Sequence, residues 1–173
     1  MTKSEIPVMP QFFDRYINQV DNVFLMDALR QTPTFDQYIP ASTLEAIGDL
    51  RYAPNKWMVK DILQHVIDTE RILSYRALRF ARNDKTELPG YDEEMFGQTA
   101  YATRRTISDL YAEFAAVRQS SILLFDSFDN EMLLRTGVCF HQNISVLALG
   151  FVLVGHARHH AKIIRERYLP LLS

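Results

Sequence analysis

Apolar residues recur at helical spacing in four long stretches of the chain, while strand signals are weak. The first stretch covers residues 11–31 and puts Phe13, Tyr16, Ile17, Val20, Phe24 and Leu29 on one face. The segment "QTPTFDQYIPAST" then breaks the pattern with two prolines, and a short helix is expected over 43–50. The second long helix is expected from Trp57 to Asn83, along Ile62, Val66, Thr69, Leu73 and Phe80. It gives way to the polar loop "NDKTELPGYDEE", which carries a Pro-Gly turn signal. A third helix is expected over 103–128, and residues 137–143 read as a connection able to run extended. Ser145 stands where it can cap the fourth helix, which ends near Tyr168 ahead of Pro170.

Amphipathic helices of this length bury their apolar faces against one another, so the expected fold is all-α: a four-helix bundle with long connecting loops, built as one domain over residues 1–173. The connections on either side of the second helix are long for simple hairpins, and both can cover one end of the bundle. Composition supports a globular chain, with 47% hydrophobic and 12% aromatic residues. A net charge of −2, with basic and acidic residues well mixed, provides no field for nucleic acid or an anionic membrane. The longest apolar run, "VLALGFVLV", is too short to span a bilayer and reads as a buried helix segment. The single cysteine, Cys139, rules out an intrachain disulfide and a thiolate zinc site, and fits a cytoplasmic location.

Candidate chemistry sits at the end of that apolar run. Of five histidines in the chain, three crowd into "GHARHH" at 155–160. At 100° per residue, His156 lies within about 20° of the apolar line of its helix, His159 about 40° to one side and His160 about 60° to the other. All three therefore point inward or to the edge of the buried face, whereas a solvated face would lie opposite. His156 and His160, at i and i+4, can hold one metal ion; His156 and His159, at i and i+3, can do so too, and helical phase does not choose between them. A third ligand must come from elsewhere, and His65 lies at the edge of the second helix's buried face. Ala157 occupies the glutamate position of an H-E-x-x-H motif, which excludes a zincin protease.

At these residues the chain resembles the DinB-like superfamily, which includes damage-inducible DinB proteins and bacillithiol transferases. The resemblance rests on "KWMVKDILQHVIDTERILSYRALRFARND", "LPGYDEEMF" and "ISVLALGFVLVGHARHHAKIIRERYL", in that order over about residues 56–169. It implies a four-helix bundle, frequently a homodimer, with a divalent ion on His65, His156 and His160. His159 is then a neighbour that orients a ligand or faces the pocket. Two positions depart from the pattern: Met58 stands where relatives have Ser or Thr, and Ala157 where many carry a carboxylate. The helix beginning near Trp57 must therefore take its cap from another residue.

Imidazole suits zinc and nickel, with iron and copper as further options. Three neutral ligands with an open position let a divalent ion acidify water or bind a thiol as thiolate. The expectations are hydrolysis of a small-molecule substrate, or activation of a low-molecular-weight thiol as the resemblance to thiol transferases implies. The competing expectation is a stress-associated metal protein that binds a ligand or dimerises without catalysis. Asp92 and His159 are the expected catalytic groups; Asp92 matches a position often acidic in the family, although it can equally cap a helix beside Glu93 and Glu94. His141 reaches the site only if its loop folds over, and Tyr91 and Tyr101 can bond a substrate. Arg76 lies about 16 Å along the helix from His65 and is expected in a structural ion pair, an anion contact being the lesser option. Trp57 is expected to close the start of its helix against the bundle.

Overall fold

The computed structural model describes residues 1–172. Its helices are α1 (Asp14–Ile17), α2 (Leu25–Gln31), α3 (Ala41–Ile47), α4 (Val59–Ala81), α5 (Glu93–Ala100), α6 (Ile107–Asp126), α7 (Asn130–Leu134) and α8 (Val146–Ile163). A two-stranded antiparallel sheet, β1 (Thr136–Cys139) with β2 (Gln142–Ser145), precedes α8. Helix α4 packs on both α6 and α8, and the pair α1 and α2 closes the ring by packing on α8 and α6. The result is a four-helix bundle whose first member is broken. Among the described residues no helix is long and apolar enough to cross a membrane.

The break corrects the continuous helix expected over 11–31. The apolar period runs through Val20 and Phe24, yet the backbone leaves the helix after Ile17 and re-enters at Leu25. The competitor is the N-terminal segment. Thr2 pairs with Phe24 as an isolated antiparallel bridge, Leu25 N–H donates to the Met1 carbonyl at 3.0 Å, and Asn22 Oδ1 accepts from Ser4 N–H at 2.9 Å. These bonds satisfy backbone groups that a continuous helix would need for itself.

The other long helices start where local chemistry supplies a cap. Thr106 and Asp109 cap α6 reciprocally, at 3.0 and 3.3 Å. Ser145 Oγ accepts from Ala148 N–H at 3.1 Å to open α8, as expected. Met58 has no oxygen to cap α4, and the N-terminus is tied by Asp61, whose carboxylate accepts the Met58 N–H at 3.0 Å. Helix α8 ends in a wider π turn over Ile164–Tyr168.

The connection at 137–143 does run extended, as a hairpin of β1 and β2. Its two-residue turn places Phe140 (φ 51°) and His141 (φ 57°) in the left-handed region, a conformation that ordinarily selects Asn-Gly. The buried apolar residues form two clusters. One holds α1, α2, the C-terminal part of α4 and the N-terminal half of α8; the other holds α3, the start of α4 and the end of α8. The histidines lie where the two meet.

Candidate metal centre

Helix α4 offers His65 and α8 offers His156 and His160 at the boundary between the two apolar clusters. His156 Nε2 lies 3.1 Å from His65 Nε2 and 3.1 Å from His160 Nε2. One ligand atom from each ring lies within 4.8 Å of the other two. His65 and His156 are 6% and 4% exposed, and His160 is partly buried. Burial lowers the His65 pKa to about 4. Burial first, then the neighbouring histidines and Arg15, hold His156 and His160 well below the ordinary imidazole value. At neutral pH all three are neutral.

Hydrogen bonding among neutral rings does not account for this arrangement. His156 Nε2 carries at most one proton, so it can donate to one neighbour and faces the other with its proton or lone pair unmatched. A cation accepting all three lone pairs satisfies the three facing nitrogens at once, while the buried Nδ1 of His160 stays without a partner among the described residues. Nitrogens bound about 2.0–2.1 Å from a tetrahedral zinc are about 3.3 Å apart, close to the spacing here. The residues therefore fit a divalent ion.

Groups around the rings set their orientation. His65 Nδ1 is 3.5 Å from Thr69 Oγ1, which is 2.7 Å from the Tyr91 hydroxyl. With Nε2 facing the centre, Nδ1 carries the proton and Thr69 accepts it, so the Thr69–Tyr91 pair selects the tautomer. Burial pushes the Tyr91 hydroxyl up to about 12, which keeps it a donor. Tyr16, on α1, sets its ring edge-on to His156 and His159 at 5.0 and 5.3 Å between centroids. Trp57 lies against His65 at 4.9 Å and donates its indole N–H to Glu94 at 3.2 Å. The start of α4 is thus closed against the site, as expected of Trp57.

The histidines stand between two openings. A cavity of about 340 Å3 is lined by His156 together with Tyr16, Thr69, Asp92 and Glu93. A second, of about 190 Å3, is lined by His65 and His160 with Tyr16, Trp57, Glu93 and Glu94. The chain from Pro89 to Glu94 walls the larger cavity from Gly90 onward, and its Glu93 and Glu94 line both. It runs back along α4, touching Arg76 through Pro89, Thr69 through Tyr91 and Trp57 through Glu94.

Asp92 lies on the larger cavity, and its Oδ1 caps α5 by accepting from Met95 N–H at 3.0 Å. Glu93, one residue on, borders both openings, and burial raises its pKa against the opposing pull of Arg15. Periodicity singled out neither of these carboxylates; the signal that finds Glu93 is the path of the loop. His159 packs on Tyr16 and His160 and lines neither opening. His141 does not reach the site: it is exposed at the hairpin tip, 2.9 Å from Glu87, while its neighbour Phe140 reaches the larger cavity. Tyr101 is exposed beneath Arg104, away from the histidines. Arg76 corrects an expectation: it forms no ion pair among the described residues and donates to the Pro89 carbonyl at 2.8 Å.

The sequence profile of the DinB superfamily matches residues 28–164, most of the chain. The chain belongs to the DinB superfamily. The resemblance seen in its motifs is thereby borne out, as is the four-helix bundle expected of a DinB protein. Among solved structures it is similar to YfiT from Bacillus subtilis, described as "a probable metal-dependent hydrolase with an unusual four-helix bundle topology". That likeness has a TM-score of 0.68 at 17% identity, covering 92% of this chain and 87% of YfiT, and it concerns the fold. No curated protein sequence matches this DinB chain.

Proposed function

We propose that this protein is a divalent-metal-dependent hydrolase in which His65, His156 and His160 hold the ion, zinc or nickel. The observation that carries the reading is the convergence of three neutral ring nitrogens beside an open cavity of about 340 Å3. YfiT, described as a probable metal-dependent hydrolase, shares the fold and adds support. When bound to three neutral ligands, such an ion polarises a carbonyl and brings the pKa of a coordinated water to about 7.

The chain supplies the rest. Thr69 and Tyr91 hold His65 in the tautomer that presents Nε2. Glu93 is the carboxylate we assign to take the proton from the attacking water, because it borders both openings and its raised pKa brings it nearer to neutrality. Asp92, with one oxygen engaged in the α5 cap, positions Glu93 and keeps its second oxygen for the cavity. His159 supports Tyr16 and the His160 ring rather than touching the reacting atoms.

Metal analysis of protein made without a histidine tag tests the ligand set, with His156→Ala as its control. One ion per chain is expected in the parent and none in the variant, together with metal-dependent hydrolysis of activated esters or amides. Equal metal content in both proteins would overturn the ligand assignment. Consumption of an electrophile only when a small thiol is added would replace the hydrolase by a thiol transferase on the same three histidines.

A further inference from the structure

The larger cavity is lined by a cation, Arg76, that forms no ion pair among the described residues, although Asp92, Glu93 and Glu94 line the same cavity. Arg76 is 5% exposed, its guanidinium is permanently charged, and among the described residues its side chain bonds only the Pro89 carbonyl. The same protein shows what a satisfied buried arginine looks like. Arg118, fully buried, meets Glu70 with two bonds of 2.8 Å and adds the Thr32 and Leu153 carbonyls. Among the described residues the buried side-chain atoms lacking a partner are Tyr38 Oη and His160 Nδ1. The remaining Arg76 donors are therefore not sealed in the core. They open to the space that Arg76 lines, which is the cavity reaching His156.

We propose that this cavity binds small monocarboxylates with an apolar body, the carboxylate on Arg76 and the other end toward the histidines. Burying an unpaired guanidinium is costly, and a carboxylate entering the cavity supplies the missing charge with paired N–H···O bonds. The body of the ligand meets Phe13, Leu73 and Val152, with Phe12 and Phe140 at the mouth, their rings 5.4 Å apart. Length follows from α4. Thr69, beside His65, and Arg76 are separated by a helix rise of about 10 Å, room for a phenyl ring on a short alkyl chain. Charge polarity follows from the returning loop: Pro89 lies at Arg76, whereas Glu93 and Glu94 lie near the histidines and repel a second anion there. The proposal rests on the preceding reading only in taking this cavity as the substrate pocket.

The test is titration of the full chain, as isolated and after metal removal, with 4-phenylbutyrate and its neutral amide. The acid is expected to bind roughly tenfold or more tightly than the amide in both preparations, and the preference to vanish in Arg76→Gln while persisting in Arg76→Lys. The acid-to-amide comparison in the parent protein needs no variant to fold. Equal affinities there, or a preference that survives Arg76→Gln, would overturn the proposal. A preference present only with metal would place the carboxylate on the ion and overturn it as well, leaving the metal reading intact. Conversely, an Arg76-dependent preference in a chain that takes up no metal would uphold the anchor and remove the hydrolase.

Discussion

Gly155 offers a severe check on how the site is walled. It precedes His156 on α8 at the point where that helix crosses α1, and a methyl group there would fall 2.5 Å from the Tyr16 carbonyl carbon and deep inside the carbonyl oxygen. Both are backbone atoms, so no rotamer change relieves the clash. Restoring an ordinary carbon–carbon contact of about 3.5 Å requires α1 to move by about 1 Å. Such overpacking costs about 3 kcal/mol at the upper end of its range, while Ala returns about 1 kcal/mol of helix propensity over Gly. The clash therefore wins, and Gly155→Ala is expected to lose about 2 kcal/mol. For a chain of this size that is about 4–8 °C in melting temperature. Because Tyr16 travels with α1, the His156 ring resonances should shift as well, as its edge-on partner moves from a centroid distance of 5.0 Å. Thermal denaturation and histidine-selective NMR read the two effects. A variant as stable as the parent, with unmoved resonances, would refute the close approach and with it the placement of Tyr16 as a wall of the site.

Two further predictions concern the rings themselves. Thr69→Val removes the acceptor at His65 Nδ1 and is expected to weaken metal affinity about 10–100-fold without unfolding the chain, as measured by competition with a chromophoric chelator. In chelator-treated protein His65 has a folded pKa of about 4 against an ordinary value of 6.5. A depressed folded value means the His65 contribution is whole above about pH 6.5 and is lost as pH falls toward 4, about 3 kcal/mol from this ring. Urea titrations from pH 7 to 4 should show this slope, to which His156 and His160 add in the same direction, and His65→Leu should reduce it.

The parts of the molecule that were legible in the sequence are those decided locally. The Ser145 cap, the buried run from Val146 to Val154 and the inward phase of His156 all follow from residues within a turn or two, and all are found. The break in the first helix was hidden because its apolar period continues through Val20, whereas its cause is pairing with Met1 and Thr2 some twenty residues away. The hairpin was hidden because Phe140 and His141 are not turn-forming residues. It is held from outside, where Leu88 N–H bonds Val138 and Phe140 N–H bonds Leu88. Phase left His159 and His160 equivalent as partners for His156, and only the packing of α4 on α8, which brings in His65, separates them. The ion pair expected of Arg76 is replaced by the Pro89 carbonyl, since a cavity between elements leaves no trace in periodicity.

What brings His65 to His156 at the right azimuth is not the apolar core. Hydrophobic burial is non-directional, and an α4 rotated by part of a turn would still bury Leu63, Val66 or Ile67. Direction comes from the Arg118–Glu70 pair at the level of the site. Glu70 follows Thr69 on α4, Arg118 belongs to α6, and Arg118 Nη2 also reaches the Leu153 carbonyl on α8 at 3.4 Å, one turn before His156. One planar guanidinium therefore sets the rotation of α4 and the height of α8 together, with geometry that tolerates little error. A buried ion pair is weak evidence for stability in itself, because desolvation offsets most of its attraction. Its place here, in the polar layer between two apolar clusters and across three helices, is that of a register pin for the histidines.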